Sequence, residues 1–208
     1  MSHPVTVAIE SGRVNDLRAC LSADPEAAEH DVPSGDGSDN SFPPLHLVCD
    51  AFFRGQIDQE QSLALADALL EAGVDLGRVF PQSGDTYLIS AASLGAELVG
   101  LRLFEHGVDV HARGLFDATA LHWCAFMGLT KLAPALADAG SELELRDTQY
   151  DSTPLQWGLH AWTAGTNGCR EGIPAVLAAL VERGALVPPG VRERLQGEEH
   201  AALRSALG

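Results

Sequence analysis

Lysine is nearly missing from this sequence. Lys131 stands alone among 208 residues, and with the arginines it makes 13 basic side chains against 29 aspartates and glutamates. The formal net charge of −16 argues against nucleic acid or an anionic membrane surface as partner, because either polyanion would be repelled. Long apolar runs are missing as well. No stretch approaches ~20 uninterrupted apolar residues, so no membrane-spanning helix is expected. The first ten residues lack a basic segment followed by an apolar core, which predicts no secretory leader and a cytoplasmic protein. The four cysteines, Cys20, Cys49, Cys124 and Cys169, form no Cys-x-x-Cys pair. That excludes a zinc ribbon or a thioredoxin motif and makes a disulfide framework unexpected. The signatures Gly-x-Ser-x-Gly, Gly-Lys-Ser/Thr and Gly-x-Gly-x-x-Gly do not occur. His106 and His111 straddle Gly107 with no carboxylate pair to complete a ligand set. No metal, no cofactor and no catalytic residue is therefore expected.

What is present is ordinary for a folded chain: 46% hydrophobic and 20% charged residues, enough for one domain or one short repeat array. The abundance of Ala, Leu, Gly and Arg beside a single Lys predicts a bacterial, GC-rich source.

The chain repeats itself. Thr119-Ala-Leu-His-Trp-Cys-Ala-Phe-Met-Gly128 aligns with Thr86-Tyr-Leu-Ile-Ser-Ala-Ala-Ser-Leu-Gly95, and 119 − 86 gives a period of 33. Thr153-Pro-Leu-Gln-Trp-Gly follows 34 further on. Pro43-Pro-Leu-His-Leu-Val-Cys and His3-Pro-Val-Thr-Val-Ala extend the series upstream. Each of the last four units carries an apolar pair four residues apart (Leu65/Leu69, Val99/Leu103, Leu132/Leu136, Val176/Leu180), then a glycine: Gly73, Gly107, Gly140 or Gly184. Thr or Pro before a short apolar run reads as a helix start, and the late glycine as a left-handed helix end. No single helix pair buries its apolar face alone, so the units must stack.

The pattern resembles the ankyrin repeat, whose signature is T-P-L-H-x-A-A-x-x-G followed by V-x-x-L-L and G-A-D-V. The resemblance implies an all-α solenoid of about five helix-turn-helix repeats with short β-hairpin fingers. The repeats fall at about 3–30, 43–78, 86–113, 119–147 and 153–187, with a cap over 188–208. Departures are informative. Asp24-Pro25 stands where the first unit's glycine would fall. The Gly/Ser/Asp-rich stretch 31–41 reads as a loop, and Val191 to Leu207 reads as one closing helix. Units two and five are lengthened within Phe52–Gln61 and Trp162–Gly172.

The resemblance also implies a function, binding of another protein through the concave face, with no enzymatic activity. Mapped onto this chain, the hairpin tips are Gln82, Ser83 and Asp85, then Leu115, Phe116 and Asp117, then Gln149, Tyr150 and Asp151. The inner-helix positions are Ser93, Leu94, Phe126, Met127 and His160. It further implies that His46 and His122 bridge the turns of adjacent repeats through their ring nitrogens. Asp117 and Asp151, two residues before the motif Thr, are read as left-handed turn residues, which Asp tolerates better than most. A shared carboxylate edge is the alternative. Phe116 and Tyr150 lie 150 − 116 = 34 residues apart and are expected on one edge, facing the same groove as Phe126. They either form an interface or fold down over their own turns. Trp123 and Trp157, at equivalent positions, read as core or groove packing.

The partner expected is a protein, with the chain acting as a monomer; its acidity favours a basic partner, as for an inhibitor or immunity-type protein. Another alternative is a small-molecule or catalytic site around Asp50, Arg54, Trp157 and His160, walled by the two insertions.

Overall fold

The computed structural model describes residues 3–35, 38–165 and 170–208. The chain is mostly helical. The helices are α1 (Pro4–Glu10), α2 (Val14–Ala23), α3 (Pro44–Phe53), α4 (Gln59–Glu71), α5 (Tyr87–Ser93), α6 (Glu97–Glu105), α7 (Ala120–Met127), α8 (Leu132–Asp138), α9 (Pro154–Ala164) and α10 (Ile173–Glu182). The short α11 (Val191–Arg194) and α12 (Ala201–Ala206) follow. They pack as antiparallel pairs laid side by side. The first members form one row, α1 on α3, α3 on α5, α5 on α7 and α7 on α9; the second members form another, from α2 through α4, α6 and α8 to α10. The apolar pairs at four-residue spacing sit between the rows: Leu65, Leu69, Val99, Leu103, Leu132, Leu136, Val176 and Leu180 are all fully buried. Among the described residues no helix is long and apolar enough to cross a membrane.

Helix starts follow the capping chemistry that the motif supplies. Thr153 Oγ1 accepts from the Gln156 backbone N–H at 3.4 Å, and Gln156 Oε1 accepts from the Thr153 N–H at 2.8 Å. Second helices end where a glycine turns left-handed, as at Gly107 (φ 76°) and Gly140 (φ 92°), so backbone conformation alone requires glycine there. In the lengthened second unit the extra residues extend the helices. The helix α3 runs on to Phe53, and α4 starts behind a reciprocal cap between Asp58 and Gln61.

Three expectations need correction. The stretch 31–41 is not all loop: Val32–Pro33 (β1) pairs antiparallel with Ser41–Phe42 (β2), and Val32 is buried in the core. The terminal segment is not one helix. Gly197 at φ 100° breaks it between α11 and α12, and Arg204 Nη1 donates to the carbonyls of Leu195 and Gly197 exposed by the break. Buried Leu195, Leu203 and Leu207 still close the end of the stack. Lastly, Met127 is only 8% exposed. It packs over Gly95, where the absence of a side chain leaves room that a flexible thioether fills, so it does not join the open stripe.

Candidate functional site

The site begins with the turns between helix pairs. In the turn before α7, Phe116 (φ 61°, ψ 25°) and Asp117 (φ 57°) are both left-handed. Gly114 N–H donates to the Ala118 carbonyl at 2.9 Å and closes a tight hairpin. Two successive left-handed residues are the geometry of the tight hairpin turn that favours Asn-Gly or Asp-Gly. Asp117 suits it; a bulky Phe does not, and holding one there costs about 1–2 kcal/mol. In the turn before α9 only Asp151 is left-handed, at φ 49°. The turns brace one another. Thr148 N–H donates to the Phe116 carbonyl at 2.8 Å, and Leu115 N–H to Asp85 Oδ1 at 3.1 Å.

Asp147 organises the second turn. Its side chain is 3% exposed as a residue, yet four donors converge on the carboxylate. Oδ1 accepts from the backbone N–H groups of Gln149 (2.9 Å) and Tyr150 (2.6 Å). Oδ2 accepts from the Ser152 N–H and from the Trp157 indole N–H, both at 3.0 Å. Burial alone raises a carboxyl's pKa, but the indole and the backbone donors outweigh it and hold Asp147 below its ordinary value.

Trp157 is thereby pinned, and the aromatic residues of α7 meet it edge to face. Its ring lies 4.9 Å from Trp123 at 84°, 6.0 Å from Phe126 at 72° and 6.3 Å from Tyr150 at 72°. The two helices approach closely because of Gly158. A Cβ there would sit 3.0 Å from the Ala125 carbonyl oxygen and 2.7 Å from Leu177 Cδ2. The rings, with Phe116, surround a cleft of about 330 Å³ whose polar lining is Ser152, Gln156 and His160.

His122 sits beneath this wall, 5.3 Å from the Trp157 ring. Its Nδ1 accepts from the Thr119 backbone N–H at 3.1 Å, so Nε2 carries the proton and faces the Ser152 carbonyl at 3.3 Å. Burial lowers its pKa to about 4. His46 does not repeat that bridge. Pro43 opens its helix without an N–H or a hydroxyl to offer, and His46 Nδ1 instead pairs with Ser90 Oγ of α5 at 2.7 Å. Burial, and then the Arg54 charge, lower its pKa to about 4.

Of the residues singled out in the sequence, Phe116, Phe126, Tyr150 and His160 come together in the cleft. Gln149 braces it, donating from Nε2 to the Tyr150 hydroxyl at 3.2 Å. Leu115, Asp117 and Asp151 are exposed at the turns beside it. Gln82, Ser83 and Asp85 belong to the preceding turn, and half-buried Ser93 and Leu94 to the end of α5; none of these five lines the cleft. Sequence reasoning missed Asp147, Ser152 and Gln156; it read Trp123 and Trp157 as core or groove packing and placed Trp157 with His160 only in an alternative site. A signal existed: 157 − 123, 160 − 126 and 150 − 116 all equal 34, so three aromatic-rich positions recur together one unit apart.

The grouping of Asp50 and Arg54 with Trp157 and His160 is not what the structure brings together. Asp50 on α3 pairs at 2.7 Å with Arg54 just beyond that helix's end, whereas Trp157 and His160 belong to α9, three helix pairs away along the row. Trp162, from the second insertion, donates its indole N–H to His200 Nδ1 at 3.0 Å and so docks the terminal segment. Cys49 and Cys124 are buried and unbridged, and burial pushes the Cys49 thiol up to about 12; Cys169 lies outside the described residues. Among the described residues no group of three His, Cys, Asp or Glu side chains could hold a metal ion. No protein-family model matches the chain.

Proposed function

We propose that this protein is a non-enzymatic recognition module, an ankyrin-repeat solenoid that holds a partner protein on the face where the turns and first helices meet. One observation carries the reading. Phe116 and Tyr150, 39% and 63% exposed, join half-buried Trp123 and Phe126 above the buried Trp157 around one solvent-open cleft. Single exposed apolar residues are normal on any protein, but a contiguous aromatic patch more often marks an interface. Aromatic residues also dominate binding hot spots. The repeat identity draws support from the stacked helix pairs, the left-handed glycines closing the second helices and the hairpin turns between pairs. The net charge of −16 favours a basic partner, consistent with an inhibitor or immunity-type role; a cytoplasmic monomer is part of the same reading.

The test is affinity capture from the source organism, followed by quantitative binding of the recovered partner. Phe116→Ala and Tyr150→Ala are each expected to weaken binding by roughly 1–3 kcal/mol, the range of aromatic hot spots. Their unfolding midpoints should stay near that of the parent. A large drop in stability with unchanged affinity would assign both rings to the scaffold and sink the proposal.

A further inference from the structure

The cleft has a chemistry narrower than protein recognition in general. Its walls are the rings of Phe116, Trp123, Phe126, Tyr150 and Trp157, and neither lysine nor arginine is among its lining residues. The rings meet near perpendicular, Trp123 on Phe126 at 83° and on Trp157 at 84°. Trp157 is itself only 8% exposed, so the accessible ring surface belongs to Phe116, Tyr150 and the half-buried Trp123 and Phe126, and an aromatic face is the negative end of the ring quadrupole. Behind the wall, Asp147 accepts the Trp157 indole N–H at 3.0 Å. A carboxylate fixed at the ring's edge makes the indole more electron-rich, and it adds a negative charge beneath the exposed rings. The exposed carboxylate of Asp117 stands at the turn next to Phe116; that of Asp151, next to Tyr150, already pairs with Arg146 Nη1 at 3.2 Å. An apolar side chain would fill this volume by area alone and make no use of these charges.

We infer that the cleft seats the guanidinium of an arginine presented by a basic partner protein, stacked against the aromatic faces. Arginine fits better than lysine because its planar head is weakly hydrated and stacks on rings, whereas an ammonium holds its water more tightly. The inference rests on the recognition function proposed above and specifies what is recognised. The cation–π contact also explains why a strained Phe116 is tolerated at a turn that Asn or Gly would fill without cost.

The test uses the full chain, labelled with ¹⁵N, and three blocked peptides, acetyl-Ala-X-Ala-amide with X as arginine, citrulline or leucine. Citrulline keeps arginine's shape and removes its charge. The arginine peptide is expected to move the indole signals of Trp123 and Trp157, but not that of Trp162 on the terminal segment. The citrulline peptide should bind roughly 5- to 30-fold more weakly, the span of a partly desolvated cation–π contact. In Trp123→Leu that difference should fall below about twofold, with urea unfolding reporting an intact fold; Phe126→Leu serves the same purpose if Trp123→Leu does not fold. Equal binding of arginine and citrulline, or tightest binding by the leucine peptide, overturns the arginine site and leaves the recognition function standing. An arginine preference that survives in the variants places the attraction in the chain's diffuse charge and overturns it too. If no peptide moves either indole at tens of millimolar, both the arginine site and the cleft as a recognition surface fall.

Discussion

The indole N–H of Trp157 donates to Oδ2 of Asp147 across 3.0 Å, joining a first helix to the turn that precedes it. That bond fixes the orientation of one of the two indoles in the cleft. It also completes the pairing of a carboxylate that would otherwise be buried at high cost.

Replacing Asp147 with Asn should therefore destabilise the fold. Four donors now share a full negative charge, and hydrogen bonds to charged groups contribute more than neutral ones. The expected loss is about 2–4 kcal/mol, measured by urea unfolding. A blue or red shift of native tryptophan emission should accompany it as Trp157 is released. An unchanged unfolding midpoint would show that the turn holds itself without Asp147.

Phe116→Asn should have the opposite character. It relieves a left-handed Phe worth about 1–2 kcal/mol of strain and removes a ring that is 39% exposed. Stability should hold or rise by up to about 1 kcal/mol while partner binding falls. A loss exceeding about 2 kcal/mol would mean that the ring's packing outweighs the strain.

Buried His122 and half-buried His46 predict an acid-sensitive fold. Their folded pKa values of about 4 lie below the ordinary 6.5, so the native state favours the neutral ring. The unfolded chain takes up protons first as pH falls. Stability is then complete above pH 6.5, is lost between 6.5 and about 4, and is insensitive to these groups below that, with a ceiling of roughly 3 kcal/mol each. Asp147 has its own, lower window, since a depressed carboxyl loses its contribution only below the ordinary carboxylate range. Gln156 already occupies the position 34 residues after His122, and its Oε1 accepts the Thr153 N–H as His122 Nδ1 accepts that of Thr119. His122→Gln should therefore keep the cap and flatten the pH dependence relative to the parent. Identical pH profiles between 7.5 and 4.5 would remove His122 from the account.

Gly158→Ala tests the close approach that shapes the cleft. Alanine is the better helix former by about 0.5–1 kcal/mol. The new methyl nevertheless meets the Ala125 carbonyl oxygen at 3.0 Å and Leu177 Cδ2 at 2.7 Å. Overpacking of that kind costs about 1–3 kcal/mol, so net destabilisation is expected, with α7 and α9 pushed apart. A stabilised variant would show that Leu177 yields freely.

Much of the fold was legible because its causes are local. A period of 33 to 34 residues places the helix pairs. Glycine four residues beyond each apolar pair marks where the second helix turns left-handed, and an aspartate two residues before the motif threonine marks a turn that needs positive φ. Phe116, Tyr150 and Phe126 could be assigned to one face for the same reason, since a repeat interval carries a side chain to the equivalent place one unit along. What tertiary structure decided depends on convergence between elements. Met127 and Phe126 are chain neighbours, yet only the vacancy over Gly95 draws Met127 inward. Asp147 shows no pattern of its own until its turn folds back and brings four donors to it. Trp123 and Trp157 read equally well as core or groove until the approach at Gly158 sets their rings edge to face. Periodicity determines which face a residue occupies; rotamers, packing distances and the pairing of buried polar groups determine whether those faces close into a core or open into a cleft.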